Sequence, residues 1–184
     1  MAFARKSAKL RAPLGEAGLY DYAIKALARR MRTEFELRRL LSPRAEPGER
    51  GNSAINSILI RLREHGYLND AAFAETYARL RQENEKLGSR RVRQNLAQKG
   101  VSSSIAQQAV EARYANTSEE ALAREHLERK RIGKPGNEKE TARVVRRLAS
   151  AGFSTGVIYK ILRQWDIPDE TLAALDNLEE PTAE

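Results

Sequence analysis

One run of apolar residues built around a single glycine occurs twice in this chain at a constant offset of 52 residues. Val92, Leu96, Gly100, Val101, Ser102, Ile105, Ala109 and Val110 are matched without a gap by Val144, Leu148, Gly152, Phe153, Ser154, Val157, Ile161 and Leu162. A looser copy lies upstream: Leu37, Leu41 and Ala45, then Ile55, Leu59 and Ile60 after a longer loop. Spacings of three and four put the apolar residues of each copy on one face of a helix. The glycine supplies a backbone that turns one helix sharply into the next, and the serine after it can cap the helix that follows. Each copy is preceded by a further helical segment, at about 21–31, 70–86 and 117–131. Such a period marks a repeat architecture, in which each unit is too small to bury a large core alone and packs on its neighbours.

The expected fold is therefore all-α, with tandem repeats of three-helix units forming an elongated, curved molecule. The expected units are 20–68, 69–115 and 116–166, between a basic flexible tail at 1–19 and an acidic C-terminal tail at 167–184. Leu, Ala, Arg and Glu, strong helix formers, dominate, and no alternation of β-branched residues suggests a strand. Asp21 is placed to cap the first helix. Thr33 with Glu36, and Thr117 with Glu120, have capping-box spacing. Ser42 to Gly51, with two prolines and two glycines, reads as a loop before a helix from about Asn52. Gly66 reads as the left-handed residue ending that helix, and Asn69 or Asp70 as the next cap. Phe35, Leu37, Leu40 and Leu41 form one expected apolar face, and Phe73, Ala74, Tyr77 and Leu80 another. Leu96 and Leu148 are expected under their own glycine turns.

The charge is uneven. The chain carries a formal +8, yet the stretch Asp166–Glu184 holds seven acidic residues and no Lys or Arg. With those seven set aside, 33 basic residues face 18 acidic ones, a net +15. A body this basic attracts polyanions at long range. There are no cysteines, which excludes disulfides, thiolate metal sites and cysteine nucleophiles and suits a reducing cytoplasm. No apolar run reaches a membrane span, and the first residues lack the apolar centre of a signal peptide.

Catalytic chemistry finds no constellation. His65 and His126 are far apart and read as surface or cap histidines. Gly133-Lys134-Pro135-Gly136 has the composition of a phosphate loop but lacks the preceding strand and the residue order, so it reads as a helix–helix loop. Paired carboxylates in apolar surroundings are not indicated. The expectation is a protein that is not an enzyme, with no catalytic residues, metal or cofactor. The basic residues are better organised. Arg90, Arg91 and Arg93 open the second helix of the middle unit; Arg143, Arg146 and Arg147 sit in the matching helix of the last; Lys160 and Arg163 lie on the helix after it. Arg129, Lys130, Arg131, Lys134 and Lys139 flank the loop between. Arg90, Arg91, Arg93, Arg143, Arg146, Arg147, Lys160 and Arg163 are the candidate nucleic-acid- or filament-binding residues, by phosphate contacts that position a protein without reading sequence. The bland reading is an Arg-rich solvated face paired with Glu at four residues. After Glu140 no acid lies near Arg143 to Arg147, which favours binding.

Certain residues carry a resemblance to a known family. Leu62, Gly66-Tyr67-Leu68-Asn69-Asp70, Phe73-Ala74, Tyr77 and Arg79, then Gly88, Arg91-Val92-Arg93, Leu96 and Lys99-Gly100-Val101, form its densest stretch. Ala26-Leu27, Arg30, Arg32-Thr33, Glu36 and Leu37 also fit, so the likeness spans roughly Tyr20 to Trp165. The sequence resembles the RecX family of bacterial recombinase regulators. The resemblance implies tandem three-helix repeats and binding in the groove of the RecA recombinase–DNA filament. It also implies limits on filament growth, ATP hydrolysis, strand exchange and co-protease action, and weaker, sequence-independent binding of single- and double-stranded DNA. A cytoplasmic monomer without membrane partners is the matching expectation. A stand-alone nucleic-acid-binding helical protein and a scaffold for an acidic protein are the alternatives. Most matched residues read as structural: Gly66, Gly88 and Gly100 for turns, Asp70 for a cap, and Leu62, Phe73 and Leu96 for core.

Overall fold

The structure, a computed structural model, describes residues 12–167; the expected acidic tail from Pro168 and most of the expected basic tail lie outside it. Among the described residues every regular element is helical: α1 Glu16–Arg29, α2 Glu34–Leu41, a 3₁₀ turn Ser42–Arg44, α3 Glu49–Glu64, α4 Asp70–Glu85, α5 Ser89–Gln98, α6 Ser103–Tyr114, α7 Glu119–Arg129, α8 Glu138–Ala151 and α9 Thr155–Gln164. They follow one another in three triplets, the all-α repeat the sequence period implies. None of these helices is long and apolar enough to cross a membrane.

The chain divides into two compact units: residues through Phe73 with Lys99–Val101, and Ala74–Gln98 with the residues from Ser102 onward. In the first, α1, α2 and α3 enclose Leu19, Leu37, Leu41, Ile55, Ile58, Leu59 and Leu62, with Leu68 behind them. Thr33 caps α2 as expected, its Oγ1 accepting from Glu36 N at 3.1 Å. The same hydroxyl donates to the Lys99 carbonyl at 2.6 Å, and the Lys99 ammonium donates to Glu36 Oε1 at 2.6 Å. In the second unit, Leu122, Leu127, Val144, Val145, Leu148, Phe153, Ile158, Ile161 and Leu162 form the core of α7, α8 and α9.

One joint is built twice, once inside each unit. Gly100 and Gly152 end α5 and α8 with φ of +77° and +92°. In the first unit, Lys99 O is held by Thr33, and a methyl on Gly100 would sit 2.3 Å from Phe35 Cβ. In the second, Gly88 N donates to Ala151 O at 2.9 Å, and a methyl on Gly152 would sit 2.3 Å from Arg91 N. Each glycine therefore serves both a left-handed turn and a close approach, and the close approach leaves no room for a side chain. Leu96 and Leu148, one turn before them, are fully buried.

Several local expectations are corrected. α1 begins at Glu16 behind Gly15, so Asp21 is an exposed residue inside the helix and not its cap. α3 begins at Glu49, where Gly48 takes φ +84° and lets the chain enter the helix before Asn52. Asn69 caps α4, while Asp70 accepts from Glu34 N at 2.9 Å and satisfies an end of α2. Burial pushes the Asp70 carboxyl above its usual range, and the Glu34 N–H partly offsets this. Ser118, not Thr117, caps α7; Thr117 Oγ1 instead accepts from the buried Gln82 amide at 2.7 Å. Ser102 caps α6, but Ser154, in the cap position of α9, turns its N–H and hydroxyl to Glu119 at 2.6 and 2.9 Å. Gly88 is not a left-handed turn; it is buried, and glycine is required there because the Gly152 carbonyl would meet any Cβ at 2.3 Å. Phe35 and Leu80, each 42% exposed, are not core, and Ala78 and Gln82 take the buried side of α4. His126 is buried, its Nδ1 3.1 Å from the Glu85 carbonyl and its ring edge-on to Phe153. His65 does stand at a helix end, exposed, where its N–H bonds Arg61 O.

Candidate polyanion-binding site

α7 ends in a Schellman turn: Arg131 N donates to Glu128 O and Ile132 N to Leu127 O, both at 2.9 Å. The left-handed residue is Arg131 itself, at φ +54°, where glycine is the usual occupant. The loop then runs through Lys134 and the buried Pro135 to Asn137, whose Oδ1 accepts from Glu140 N at 2.9 Å and starts α8. On α8 the buried residues are Thr141, Val144, Val145, Leu148 and Ala151. That face leaves Arg143, Arg146 and Arg147 exposed, with Arg143 and Arg147 one turn apart on a single row.

Loop and helix enclose an open cleft of about 370 Å³ lined by Lys130, Arg131 and Lys134 from one side and Arg143, Val144 and Arg147 from the other. One carboxylate, Glu140, shares the lining, and its Oε2 accepts from Gly136 N at 2.8 Å. Among the described residues no carboxylate is ion-paired to Arg143, Arg146 or Arg147. Five cations around one concavity make a local positive field, which low-dielectric walls focus. His126 registers that field. Burial lowers its pKa, and Lys130, Arg129 and Arg147 depress it further, against the Glu85–Lys86 peptide contact that raises it.

The other sequence candidates fall elsewhere. The 52-residue offset matches Arg91 to Arg143, but Arg91 is half-buried at the joint, its backbone against Gly152 and its guanidinium donating to Gln94 at 3.0 Å. Arg93 lines a separate hollow with Tyr114 and Glu111, and Arg90 is exposed on the same helix. Lys160 is ion-paired at 2.6 Å to Glu120, which Arg124 and Gln164 also bind. These partners, Lys160 first, hold the Glu120 carboxyl down to about 2. Arg163 is exposed near the end of α9. Sequence reasoning named Lys130, Arg131 and Lys134 only as flanking charges; the Schellman turn that folds them over α8 has no glycine to announce it. No group of His, Cys, Asp or Glu side chains among the described residues is arranged to hold a metal.

Fold and site together define a helical-repeat protein with a basic cleft beside its eighth helix. Residues 69–110 match the family profile described as RecX, second three-helix domain. The chain is 36% identical over 153 residues to the regulatory protein RecX of Leptothrix cholodnii, covering 82% of this chain and 91% of that protein. It is 33% identical over 148 residues to that of Pseudomonas entomophila, covering 80% and 91%. Two crystal structures share the fold: a regulatory protein RecX (TM-score 0.65, 24% identity, 81% of this chain and 71% of that one) and RecX from Lactobacillus salivarius (TM-score 0.61, 23% identity, 82% and 96%). The chain belongs to the RecX family of regulatory proteins.

Proposed function

We propose that this chain binds the filament that the RecA recombinase forms on DNA and restrains it, limiting growth, ATP hydrolysis, strand exchange and co-protease action by occupancy and without catalysis. Family membership supports the partner, and the cleft of Lys130, Arg131, Lys134, Arg143 and Arg147 supports the polyanionic part of the contact. A phosphate backbone supplies charges at the density this lining can meet, and such contacts hold a protein in place without reading bases. Arg90, Arg91 and Arg93, with Arg146, Lys160 and Arg163, are proposed as secondary contacts.

Co-sedimentation with preformed recombinase filaments, with and without DNA and nucleotide, tests this reading. The expected result is capture by filaments that exceeds capture by the same DNA alone, together with slower filament extension. Equal binding to bare single- or double-stranded DNA, with no effect of the recombinase, would favour the stand-alone nucleic-acid-binding reading that the same cleft allows.

A further inference from the structure

Among the described residues Glu140 is the one carboxylate in the lining of the basic cleft, set between Lys130, Arg131 and Lys134 of the loop side and Arg143 and Arg147 of α8. It is the third residue of α8, behind the cap Asn137, whose Oδ1 accepts from Glu140 N at 2.9 Å. A glutamate at this position ordinarily reaches back to the backbone N–H of the cap residue itself. Here the carboxylate passes the cap, and Glu140 Oε2 accepts at 2.8 Å from the N–H of Gly136, a loop residue outside the helix. The N–H groups that a helix start leaves without a partner are those of the cap and the first turn, and Gly136 N is not one of them. The contact therefore serves the loop and the cleft, not the helix end.

Carboxylate and phosphate oxygens make the same demand on a protein, a backbone N–H with cations close by. Glu140 presents such an oxygen to Gly136 N inside a ring of five cations, so it stands where an outside phosphate would bind. Held by its own side chain, it acts at an effective concentration in the millimolar range or above. An incoming phosphate must displace it and then meet its charge at close range. Asp166 also meets the lining, its Oδ2 3.5 Å from Lys134 Nζ, but this is an exposed pair that solvent and salt screen. We infer that Glu140 sets the affinity of the cleft: its carboxylate takes the phosphate position at Gly136 N in the free protein and gives it up to a bound phosphate chain. The inference rests on the reading of this cleft as an anion site and names the residue that regulates it. Small anions that meet one cation cannot offset the displacement, whereas a chain of phosphates that meets several can.

The test titrates inorganic polyphosphate into the full chain and its variants at low salt, with affinity read by calorimetry and the binding surface by amide NMR. Glu140→Gln keeps a side chain suited to the helix start and should bind about tenfold more tightly, the scale of one charge-assisted hydrogen bond. Glu140→Ala, which leaves Gly136 N without its acceptor, should bind at least as tightly, its fold checked by melting. Glu138→Gln removes the same charge from an exposed residue of the same turn that lies outside the lining, and should tighten binding by about threefold or less. In the parent chain the Gly136 amide should shift on saturation, because its acceptor changes from carboxylate to phosphate. Equal gains from Glu140→Gln and Glu138→Gln would overturn the inference alone, with the cleft still an anion site. So would a Gly136 amide that stays in place while those of Lys134, Arg143 and Arg147 shift. Polyphosphate that leaves all of these amides unmoved would overturn the anion-site reading and the inference with it.

Discussion

A methyl group at Gly152 would lie 2.3 Å from the backbone nitrogen of Arg91, in a residue already held at φ +92°. Gly66 has a similar φ of +72°, but nothing lies within 4 Å of the place its Cβ would take. The pair separates two costs. Gly66→Ala should lose about 1–2 kcal/mol, the left-handed strain alone. Gly152→Ala should lose about 3 kcal/mol, because backbone must also move. Denaturant midpoints of the two variants check this, and equal losses would deny the close approach. Arg131 presents the converse case, a long cation where glycine would be unstrained. Arg131→Gly should gain about 1 kcal/mol of stability and weaken polyanion binding, as strain kept at a functional position predicts. His126 gives a pH dependence. Its folded pKa lies below its ordinary 6.5, through burial first and then Lys130, Arg129 and Arg147. The folded protein therefore binds this proton less readily than the unfolded chain, and stability is full above pH 6.5 and falls as pH drops through the folded value. Melting temperatures between pH 7 and 5.5 should decline for the parent chain and decline less for His126→Gln.

At the scale of elements, the apolar register was legible because helical periodicity and the repeat offset agree. Leu96 and Leu148 are both fully buried, and truncation of either to Ala should cost roughly 2–5 kcal/mol in equilibrium unfolding. A loss under 1 kcal/mol at one of them would break the equivalence of the two repeats. Helix ends were less legible. Thr117 and Ser118 both have a cap's chemistry, and tertiary structure decides between them by giving the Thr117 hydroxyl to Gln82. Asp70 looked like a cap for its own helix and is one for α2, a contact across 36 residues that no local pattern contains. Helices closed by Gly66, Gly100 and Gly152 carry their stop signal in the sequence, whereas Lys86, Arg131 and Asp166 take the same left-handed turn without it. The end of α7 was still legible from Gly133 and Pro135 beyond it; what no local pattern contains is that Lys130, Arg131 and Lys134 line one cleft with Arg143 and Arg147 of α8.

For the molecule as a whole, net charge is a sequence property, but its focus is not. The formal +8 is spread over every repeat, and pairs such as Lys160 with Glu120 and Arg113 with Glu83 neutralise much of it locally. The cations that converge are those of the cleft beside α8, where Lys134 is paired with Asp166 and no ion pair to Arg143 or Arg147 is found among the described residues, so equal numbers of removed charges should have unequal effects. Changing Lys134, Arg143 and Arg147 to Ala removes three cations from one concavity. If each meets a phosphate, the slope of log affinity against log salt should fall by about 2–3 units, at about 0.7 to 0.9 per contact. Arg90, Arg91 and Arg93 changed together remove the same formal charge. Arg91 is bound to Gln94 and Arg93 lines a hollow shared with Glu111, so that slope should fall by about 1 unit or less. The cleft set should not much alter unfolding, since exposed charges contribute little to stability, and unfolding of the other set is measured first because Arg91 is half-buried. Equal slope changes for the two sets would show that polyanions see only the overall charge, and the cleft would lose its claim to be the site.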